Sequence, residues 1–408
     1  MSERIRGVLA PVVTPFKADL APDSKRFIAH CKWLLSQNCG LAVFGTNSEA
    51  NSLSMEERLN LLDELVAARV DPSRMMPGTG CCSIMETVKL TKQAVGHGCA
   101  GVLMLPPFYY KDVSEEGLYR YFSEVVQRVG DRRLKIYLYH IPAVAVVGIT
   151  PKLVERLLAA YPDAIAGMKD SSGDWNNTKT FLDAFVRARQ ETSSKSQTPS
   201  SKSQGSSKIQ HPKDEGTFRA RRDSDIQETS SKSQTSSSKS QGSSKIQHPK
   251  DEGTFGARTF DVFIGSESFL LANMRNGGAG TISATANVNP AAIYELYVAC
   301  TEESKSDPPS SGSGRTTARP AFAPLRRGRL DLEGQQAKLN VVRAVFSGRK
   351  FPSMIAALKQ AIAIYADDPA WRTVRPPLVE FTPEQAGTLA AELKAISFTM
   401  PGIEKCNK

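Results

Sequence analysis

Long apolar runs are missing from this 408-residue chain. No stretch approaches the roughly 18 to 20 consecutive apolar residues needed to cross a bilayer, so we predict no membrane partner. The opening residues, Met1 to Arg6, also lack the apolar segment of a secretory signal peptide. We therefore expect a cytoplasmic protein. With 40% hydrophobic residues, the chain can still bury a sizeable core in one large or two medium domains.

Spacings typical of metal and nucleotide sites are also missing. The seven cysteines are scattered, with no CxxC pair, at positions 31, 39, 81, 82, 99, 300 and 406. This pattern favours reduced thiols over a disulfide framework or a zinc site. No cluster of His, Asp, Glu or Cys has metal-ligand spacing, and no GxxxxGKS or GxxxxGKT phosphate loop is present. We predict a protein that uses neither a metal nor a cofactor.

Positive charge exceeds negative charge by ten, but most of the excess lies in two stretches. Residues 191–258 hold twelve Lys and Arg against eight Asp and Glu, and residues 304–332 hold six against two, so each stretch carries a net charge of +4. The rest of the chain is nearly neutral, which predicts no nucleic-acid partner for the folded part. An alternative is that the two stretches tether a nucleic acid or an acidic partner.

The first of these stretches is a tandem repeat. Residues 191–221 and 228–258 are copies that differ only at Pro199/Ser236 and Arg219/Gly256. Their Ser-Ser-Lys-Ser-Gln motif has almost no apolar content and can build neither a core nor a solenoid. We therefore predict a disordered insertion at 191–258, with a gene-model artefact as an alternative to a functional insertion. A second disordered, low-complexity loop is predicted at 303–333.

Short apolar segments alternate with amphipathic segments along the rest of the chain. Eight of them are predicted as strands, at 7–14, 40–44, 74–78, 101–105, 134–139, 164–169, 260–265 and 280–283. A helical pattern follows each strand, and Ser54 and Glu57 form a capping-box pattern. Eight βα units in order favour an α/β fold, a (β/α)8 TIM barrel over 1–302, rather than a doubly wound sheet. Helical patterns at 335–346, 353–365 and 383–396 make 334–408 a C-terminal helical appendix.

One predicted strand delivers a lysine to its C-terminal end. The run from Ala164 is apolar up to Lys169, and an ammonium group buried there must be solvated, paired or deprotonated. A deprotonated lysine can attack a carbonyl carbon and form a Schiff base, although a lysine at a strand end more often only reaches solvent. In a parallel barrel the C-terminal strand ends meet on the catalytic face. That face would also hold Thr46, Asn47, Tyr139, His140, Gly265, Ser266, Glu267 and Ser283.

These strand ends combine a lysine, a tyrosine and a turn of hydroxyl and amide donors, which suits Schiff-base chemistry on a 2-oxo acid. Four motifs resemble the pyruvate-dependent class I aldolase family that includes dihydrodipicolinate synthase and N-acetylneuraminate lyase: GTNSE at 45–49, YHIP at 139–142, GMKDSSG at 167–173 and GTISATANV at 280–288. PPFYYKDVSEEGLY at 106–119 is similar as well. The resemblance covers about 5–190, 259–302 and 334–395.

The resemblance implies roles for single residues. Lys169 matches the Schiff-base lysine, Tyr139 the tyrosine that shuttles protons, and Thr46 the hydroxyl linked to that relay. Tyr109, or its neighbour Tyr110, matches a tyrosine that can reach the site of a neighbouring subunit. The resemblance thus also implies a homo-oligomer, a dimer or a tetramer. The remaining predicted substrate-binding residues are Asn47, Ser171, Gly265, Ser266 and Ser283.

Two departures from the family pattern bear on the substrate. The synthases of the family place an arginine shortly after the tyrosine segment, but residues 142–148 contain no cation, which argues against lysine biosynthesis. The Lys-Asp-Ser segment at 169–171 resembles that of members acting on hydroxylated 2-oxo acids, in which a hydroxyl two residues after the lysine can bond a substrate hydroxyl. We therefore predict a Schiff-base aldolase or dehydratase acting on pyruvate or on a 2-oxo-3-deoxy or 4-hydroxy-2-oxo acid. The alternatives are a 4-hydroxy-tetrahydrodipicolinate synthase condensing pyruvate with aspartate semialdehyde, or a non-catalytic member that binds an oxo acid.

Other polar residues have structural interpretations. We expect His140 to be a hydrogen-bonded strand-end residue. Glu49 is expected to brace the turn that it ends rather than to act as a base. His30 and His97 fall on outer helices and are expected to take no part in catalysis.

Overall fold

A parallel sheet of seven strands forms the centre of the computed structural model, which describes residues 4–187, 260–306, 331–347 and 350–404. The strands are β1 (Gly7–Ala10), β2 (Gly40–Leu41), β3 (Val102–Met104), β4 (Ile136–His140), β5 (Ile165–Asp170), β6 (Asp261–Ile264) and β7 (Gly280–Ile282). Their order is β2-β1-β7-β6-β5-β4-β3, and all pairings are parallel. The predicted insertion at 191–258 and most of the predicted loop at 303–333 lie outside the described residues.

Residues 75–79 connect the two edge strands and complete a TIM-barrel-like ring. The amide of Met76 donates to the carbonyl of Leu41 at 2.7 Å, and the amide of Leu103 donates to the carbonyl of Pro77 at 2.9 Å. The predicted strand at 74–78 is wrong as an element, because the segment forms only two isolated bridges. Pro77 has no amide hydrogen for a ladder. A Cβ at Gly78 would lie 2.2 Å from a neighbouring carbonyl oxygen, so this segment approaches its neighbour very closely.

Helices follow the strands around the barrel, much as the hydrophobic periodicity predicts. They are α1 (Ser24–Ser36), α2 (Met55–Ala67), α3 (Ile84–Gly96), α4 (Glu115–Val129), α5 (Pro142–Ala145), α6 (Pro151–Ala160), α7 (Trp175–Leu182), α8 (Leu270–Arg275) and α9 (Pro290–Ser306). The short α5 has no counterpart in the prediction. Helix α9 continues past residue 302, the predicted end of the barrel.

Three C-terminal helices complete the described chain, at α10 (Leu332–Ser347), α11 (Met354–Tyr365) and α12 (Pro383–Ala395). The three helical patterns predicted for this region are therefore confirmed, with α10 starting three residues earlier than expected. These helices belong to the same compact unit as the barrel. None of the described helices combines the length and apolar character needed to span a bilayer.

The helix starts carry the capping chemistry that the sequence indicates. At α2 the Ser54 amide donates to a Glu57 carboxylate oxygen at 2.8 Å, and the Glu57 amide donates to Ser54 Oγ at 3.1 Å. This reciprocal pair satisfies two amides that have no partner inside the helix. A cap of this kind stabilises a helix by about 1 kcal/mol.

The core has two layers, one inside the barrel and one between the strands and the helices. The larger cluster packs the outward-facing strand residues against the helices. The smaller cluster fills the barrel interior with Leu9, Ala42, Met76, Leu103, Tyr137, Tyr139, Ala166, Phe263, Ala279 and Ile282. Because the interior is packed with side chains, an open site can form only at an end of the barrel.

Candidate active site

The predicted nucleophile lies on β5, near the C-terminal end of the strand. All six residues of β5 are buried, and Lys169 is only 4% exposed. In the sheet register Lys169 pairs with Tyr139 on β4 and with Phe263 on β6. The strands on both sides therefore fix the lysine backbone, and its amine must find polar partners inside the protein.

The hydroxyl group of Tyr139 is a partner of the Lys169 amine. Lysine Nζ donates to tyrosine Oη at 3.3 Å and lies 4.4 Å from the centroid of the tyrosine ring. A second hydrogen bond of 3.2 Å joins the same hydroxyl to Oγ1 of Thr46. These bonds form a chain from an amine through a phenol to an aliphatic hydroxyl. A phenol both donates and accepts hydrogen bonds, so this chain has the connectivity needed to move a proton.

Thr46 belongs to a tight 3-10 turn, Thr46–Ser48, which other parts of the chain hold in place. The amide of Gly45 donates to Ser48 Oγ at 3.2 Å. Glu49 follows in the left-handed conformation, with φ of 55°, and its carboxylate accepts from Nζ of Lys359 at 2.7 Å. The expectation that Glu49 braces this turn is confirmed.

A second turn, immediately after Lys169, is organised by the carboxylate of Asp170. Asp170 is 1% exposed and accepts hydrogen bonds from the Ser172 amide at 2.9 Å and from Nδ2 of Asn177 at 3.1 Å. The hydroxyl of Thr178 donates to the same carboxylate at 2.5 Å. With its oxygens directed to the turn and to α7, Asp170 anchors the residues that follow the lysine.

Ser171 is placed by two neighbouring strands. Its amide donates to the carbonyl of His140 at 2.7 Å. A Cβ at Gly265 would lie 2.1 Å from Ser171 Oγ, so the glycine provides the space that the serine hydroxyl occupies. His140 also accepts a hydrogen bond at Nδ1 from the Ile149 amide at 2.9 Å, which confirms its expected hydrogen-bonded position. Burial lowers the pKa of His140, and the nearby Asp170 carboxylate opposes that shift.

A cavity of about 200 Å³ opens beside these groups. Seven of the predicted site residues line it: Lys169, Tyr139, Thr46, Asn47, Ser171, Gly265 and Ser266. Apolar wall is supplied by Ile141, Ile264, Phe269, Ala284 and Met354. An amine, several hydroxyl groups and one amide thus face a space suited to a small polar molecule.

Two predicted site residues do not line this cavity. Ser283 is fully buried behind it, where its hydroxyl hydrogen-bonds to the carboxylate of Glu267. Tyr109 is 73% exposed, and its ring contacts the ring of Tyr110 with centroids 5.3 Å apart. Ser283 therefore lies outside the cavity lining. The predicted roles of Ser283 and Tyr109 stay predictions, and that of Tyr109 requires a second subunit.

The prediction missed two cavity residues from the C-terminal helices. Arg343 on α10 and Met354 on α11 both line the cavity. Arg343 Nη1 donates to a Glu267 carboxylate oxygen at 2.8 Å. The helical pattern around position 343 is readable from the sequence, but a helical pattern contains no signal that its arginine reaches a site formed by strand ends.

Comparison with known proteins matches this arrangement to one family. The profile described as the dihydrodipicolinate synthetase family matches residues 4–189. An uncharacterized DapA-like lyase of Chloroflexus aurantiacus is 34% identical over 187 residues, which cover 45% of this chain and 62% of that protein. A 4-hydroxy-tetrahydrodipicolinate synthase of Thermus thermophilus is 36% identical over 173 residues, or 41% of this chain and 55% of the relative. The chain thus matches less than two thirds of the length of these relatives.

The likeness extends further in three dimensions than in sequence. The crystal structure of dihydrodipicolinate synthase from Agrobacterium tumefaciens superposes with a TM-score of 0.64 at 25% identity, covering 96% of this chain and 99% of the other. The family match from 4 to 189 includes β1 to β5, and with them Thr46, Tyr139 and Lys169. Residues 4–189 of this chain thus resemble the dihydrodipicolinate synthetase family, and the fold of the described chain resembles that of a solved dihydrodipicolinate synthase.

Proposed function

We propose that this protein is a Schiff-base lyase, an aldolase or a dehydratase, that acts on a small 2-oxo acid. The observation that carries the proposal is the contact between Lys169 Nζ and the Tyr139 hydroxyl, 3.3 Å, at the wall of the cavity. A nearly buried amine next to a proton-carrying phenol is the pair that imine formation requires. The match of residues 4–189 to the dihydrodipicolinate synthetase family supports the same class of chemistry.

The proposed chemistry starts at the C2 carbonyl carbon of the substrate. The Lys169 amine attacks this carbon, and the carbonyl oxygen leaves as water with one proton from the amine and one from the Tyr139 hydroxyl, so that a protonated imine and a Tyr139 phenolate form. In an aldol cleavage the C4 hydroxyl gives its proton to the Tyr139 oxygen, and the C3–C4 bond breaks to release an aldehyde. The electron pair of that bond enters the imine system as an enamine. Protonation at C3 and hydrolysis of the imine release pyruvate and restore the amine.

The polar groups around Lys169 suit the two ends of such a substrate. Thr46 and Asn47 line the cavity and offer hydrogen bonds to the C1 carboxylate. Ser171 and Ser266 line the same cavity and offer hydroxyl groups to the hydroxylated part of the substrate. These roles, like the catalytic roles of Lys169 and its partners, are part of the proposal.

The second candidate function is the condensation of pyruvate with aspartate semialdehyde. It is favoured by the name of the Thermus thermophilus relative, a 4-hydroxy-tetrahydrodipicolinate synthase that is 36% identical over the aligned residues. The segment after Tyr139 weighs against it, because α5 carries only proline, alanine and valine and offers no cation to a carboxylate. The third candidate function is the binding of an oxo acid without turnover.

A substrate screen with product identification by mass spectrometry tests the proposal. The substrates are 2-oxo-3-deoxygluconate and 4-hydroxy-2-oxoglutarate, which an aldolase cleaves with release of pyruvate, and pyruvate with aspartate semialdehyde, whose condensation consumes pyruvate; each is followed with the Lys169→Ala and Lys152→Ala variants. Lys152 is exposed on α6 and serves as the matched control. We expect cleavage of at least one hydroxylated oxo acid by the wild type and by Lys152→Ala, and loss of more than about 10³-fold in Lys169→Ala. Activity that survives Lys169→Ala, or no activity on any substrate, would contradict the proposal.

We also propose that the chain forms a homo-oligomer. Tyr109 and Tyr110 are 73% and 74% exposed, and Val144 and Val146 are 62% and 61% exposed. The two segments are neighbours, because Nζ of Lys111 donates to the carbonyl of Ala145 at 3.1 Å, and contiguous exposed apolar side chains mark contact surfaces. We expect the molar mass of a dimer or a tetramer from light scattering on the purified protein. The molar mass of a monomer would contradict this part of the proposal. The cytoplasmic location stays a prediction.

A further inference from the structure

Arg343 is the cationic side chain that the C-terminal helical region brings to the cavity. It lies on α10, lines the cavity that contains Lys169, and has a side chain 20% exposed. Among the described residues that line the cavity it is the one arginine. Residues 142–148 contain no cation, so this guanidinium reaches the cavity from a different element.

The guanidinium of Arg343 is held from behind by Glu267. Glu267 is 1% exposed and does not line the cavity. Its carboxylate accepts hydrogen bonds from the hydroxyls of Ser283 and Thr285 and from Nη1 of Arg343, the last at 2.8 Å. Nη1 also lies 3.4 Å from Ser283 Oγ. A buried carboxylate with three donors fixes the arginine in one orientation.

Helix α10 itself is anchored at the same place. Gln336, about two turns before Arg343, donates from Nε2 to the Glu267 carbonyl oxygen at 2.9 Å and accepts from the Leu271 amide at 3.0 Å. Both the helix and its arginine are thus tied to the segment that follows β6. Within the described part of the chain, the hydrogen bonds of Arg343 use Nη1, which leaves Nε and Nη2 for a ligand.

We infer that Arg343 is a specificity-determining residue that binds the distal hydroxyl groups of a 2-oxo-3-deoxy sugar acid. The inference rests on the proposed function. Glu267 already compensates the arginine charge, so a second substrate carboxylate bound there would meet a neutralised cation with a carboxylate directly behind it. Neutral hydroxyl groups accept from the remaining N–H donors without that repulsion. The hydroxyls of Ser171 and Ser266 on the same cavity suit the same kind of ligand.

Kinetics of Arg343 variants with two probes test this inference. The probes are 2-oxo-3-deoxygluconate, with a hydroxylated tail, and 4-hydroxy-2-oxoglutarate, with a distal carboxylate. We expect Arg343→Met to lower kcat/KM for the probe with the hydroxylated tail, 2-oxo-3-deoxygluconate, by about 10- to 100-fold, because a polar contact to the substrate is lost. Arg343→Lys should restore only part of it, since lysine lacks the fixed fork of donors. Lys338→Met, an exposed position on the same helix, is the control.

A second measurement distinguishes a change of substrate specificity in Arg343→Met from a loss of the fold or of imine formation. Borohydride trapping of pyruvate on Lys169 should proceed in Arg343→Met at a rate within about twofold of the wild type, because pyruvate has no tail. Equal kcat/KM for 2-oxo-3-deoxygluconate in the wild type and in Arg343→Met would overturn the inference. So would a wild type that prefers the dicarboxylate, or that traps pyruvate yet cleaves neither probe. Failure of the wild type to trap pyruvate would instead overturn the proposed function on which the inference rests.

Discussion

At the scale of single residues, the site depends on a tyrosine hydroxyl placed between an amine and a second hydroxyl. Tyr139 is 3% exposed, and its ring packs within the cluster that fills the barrel. The ring is therefore held by packing while its hydroxyl is held by Lys169 at 3.3 Å and Thr46 at 3.2 Å. A group fixed in this way needs little reorganisation when a proton must move.

The Tyr139→Phe variant separates the two functions of this side chain. The ring and its packing remain, but the proton carrier is lost, so we expect kcat for aldol cleavage to fall by about 10²- to 10³-fold. Thermal unfolding should change little, because only one hydroxyl is removed. Stopped-flow measurement of pyruvate release gives the rates, and circular dichroism gives the melting curve. A variant that retains a third or more of the wild-type kcat would exclude Tyr139 as the proton carrier.

At the scale of elements, helix α11 supports the turn that carries Thr46 and Asn47. Lys359 is 0% exposed and pairs with the equally buried side chain of Glu49 at 2.7 Å, and its Nζ lies 4.5 Å from the centroid of the Phe16 ring. Burial lowers the pKa of Lys359 to about 8, and the Glu49 carboxylate opposes that shift. The C-terminal region therefore contributes a buried ion pair to the architecture of the site.

Removing one charge of this pair should lower the free energy of unfolding more than removing both charges. Lys359→Met leaves the Glu49 carboxylate buried without its cation, and we expect the free energy of unfolding to fall by about 3–5 kcal/mol. The double variant Lys359→Met/Glu49→Gln removes both charges and should recover a large part of that loss. Urea unfolding of the wild type, both single variants and the double variant gives the coupling energy. Additive single effects would show that the two charges do not support each other.

The elements also show which parts of the fold a sequence can predict. The strand that ends in Lys169 and the capping box at Ser54 follow local patterns of burial and hydrogen bonding, and both are in the structure. The segment at 74–78 has a strand-like composition, but Pro77 and a close contact at Gly78 reduce it to isolated bridges. Local sequence patterns therefore predict a helix or strand well where the residues of that element themselves determine its backbone hydrogen bonds.

At the scale of the whole molecule, the prediction was weakest where distant parts of the chain meet. Seven of the predicted residues line one cavity because the barrel topology brings strand ends together. Arg343 and Met354 reach that cavity from helices that follow the last strand, and only tertiary packing places them there. Tertiary packing also explains why Ser283 lies outside the cavity lining, since its hydroxyl donates a hydrogen bond to the buried Glu267 carboxylate.

Covalent trapping on the intact chain shows directly whether Lys169 forms a Schiff base. The protein is incubated with pyruvate and sodium borohydride, digested and analysed by mass spectrometry, with Lys169→Ala and Lys152→Ala treated in parallel. We expect one reduced pyruvyl adduct on Lys169 in the wild type and in Lys152→Ala, and no adduct in Lys169→Ala. A wild type without the adduct, or an adduct carried by another lysine, would contradict this expectation.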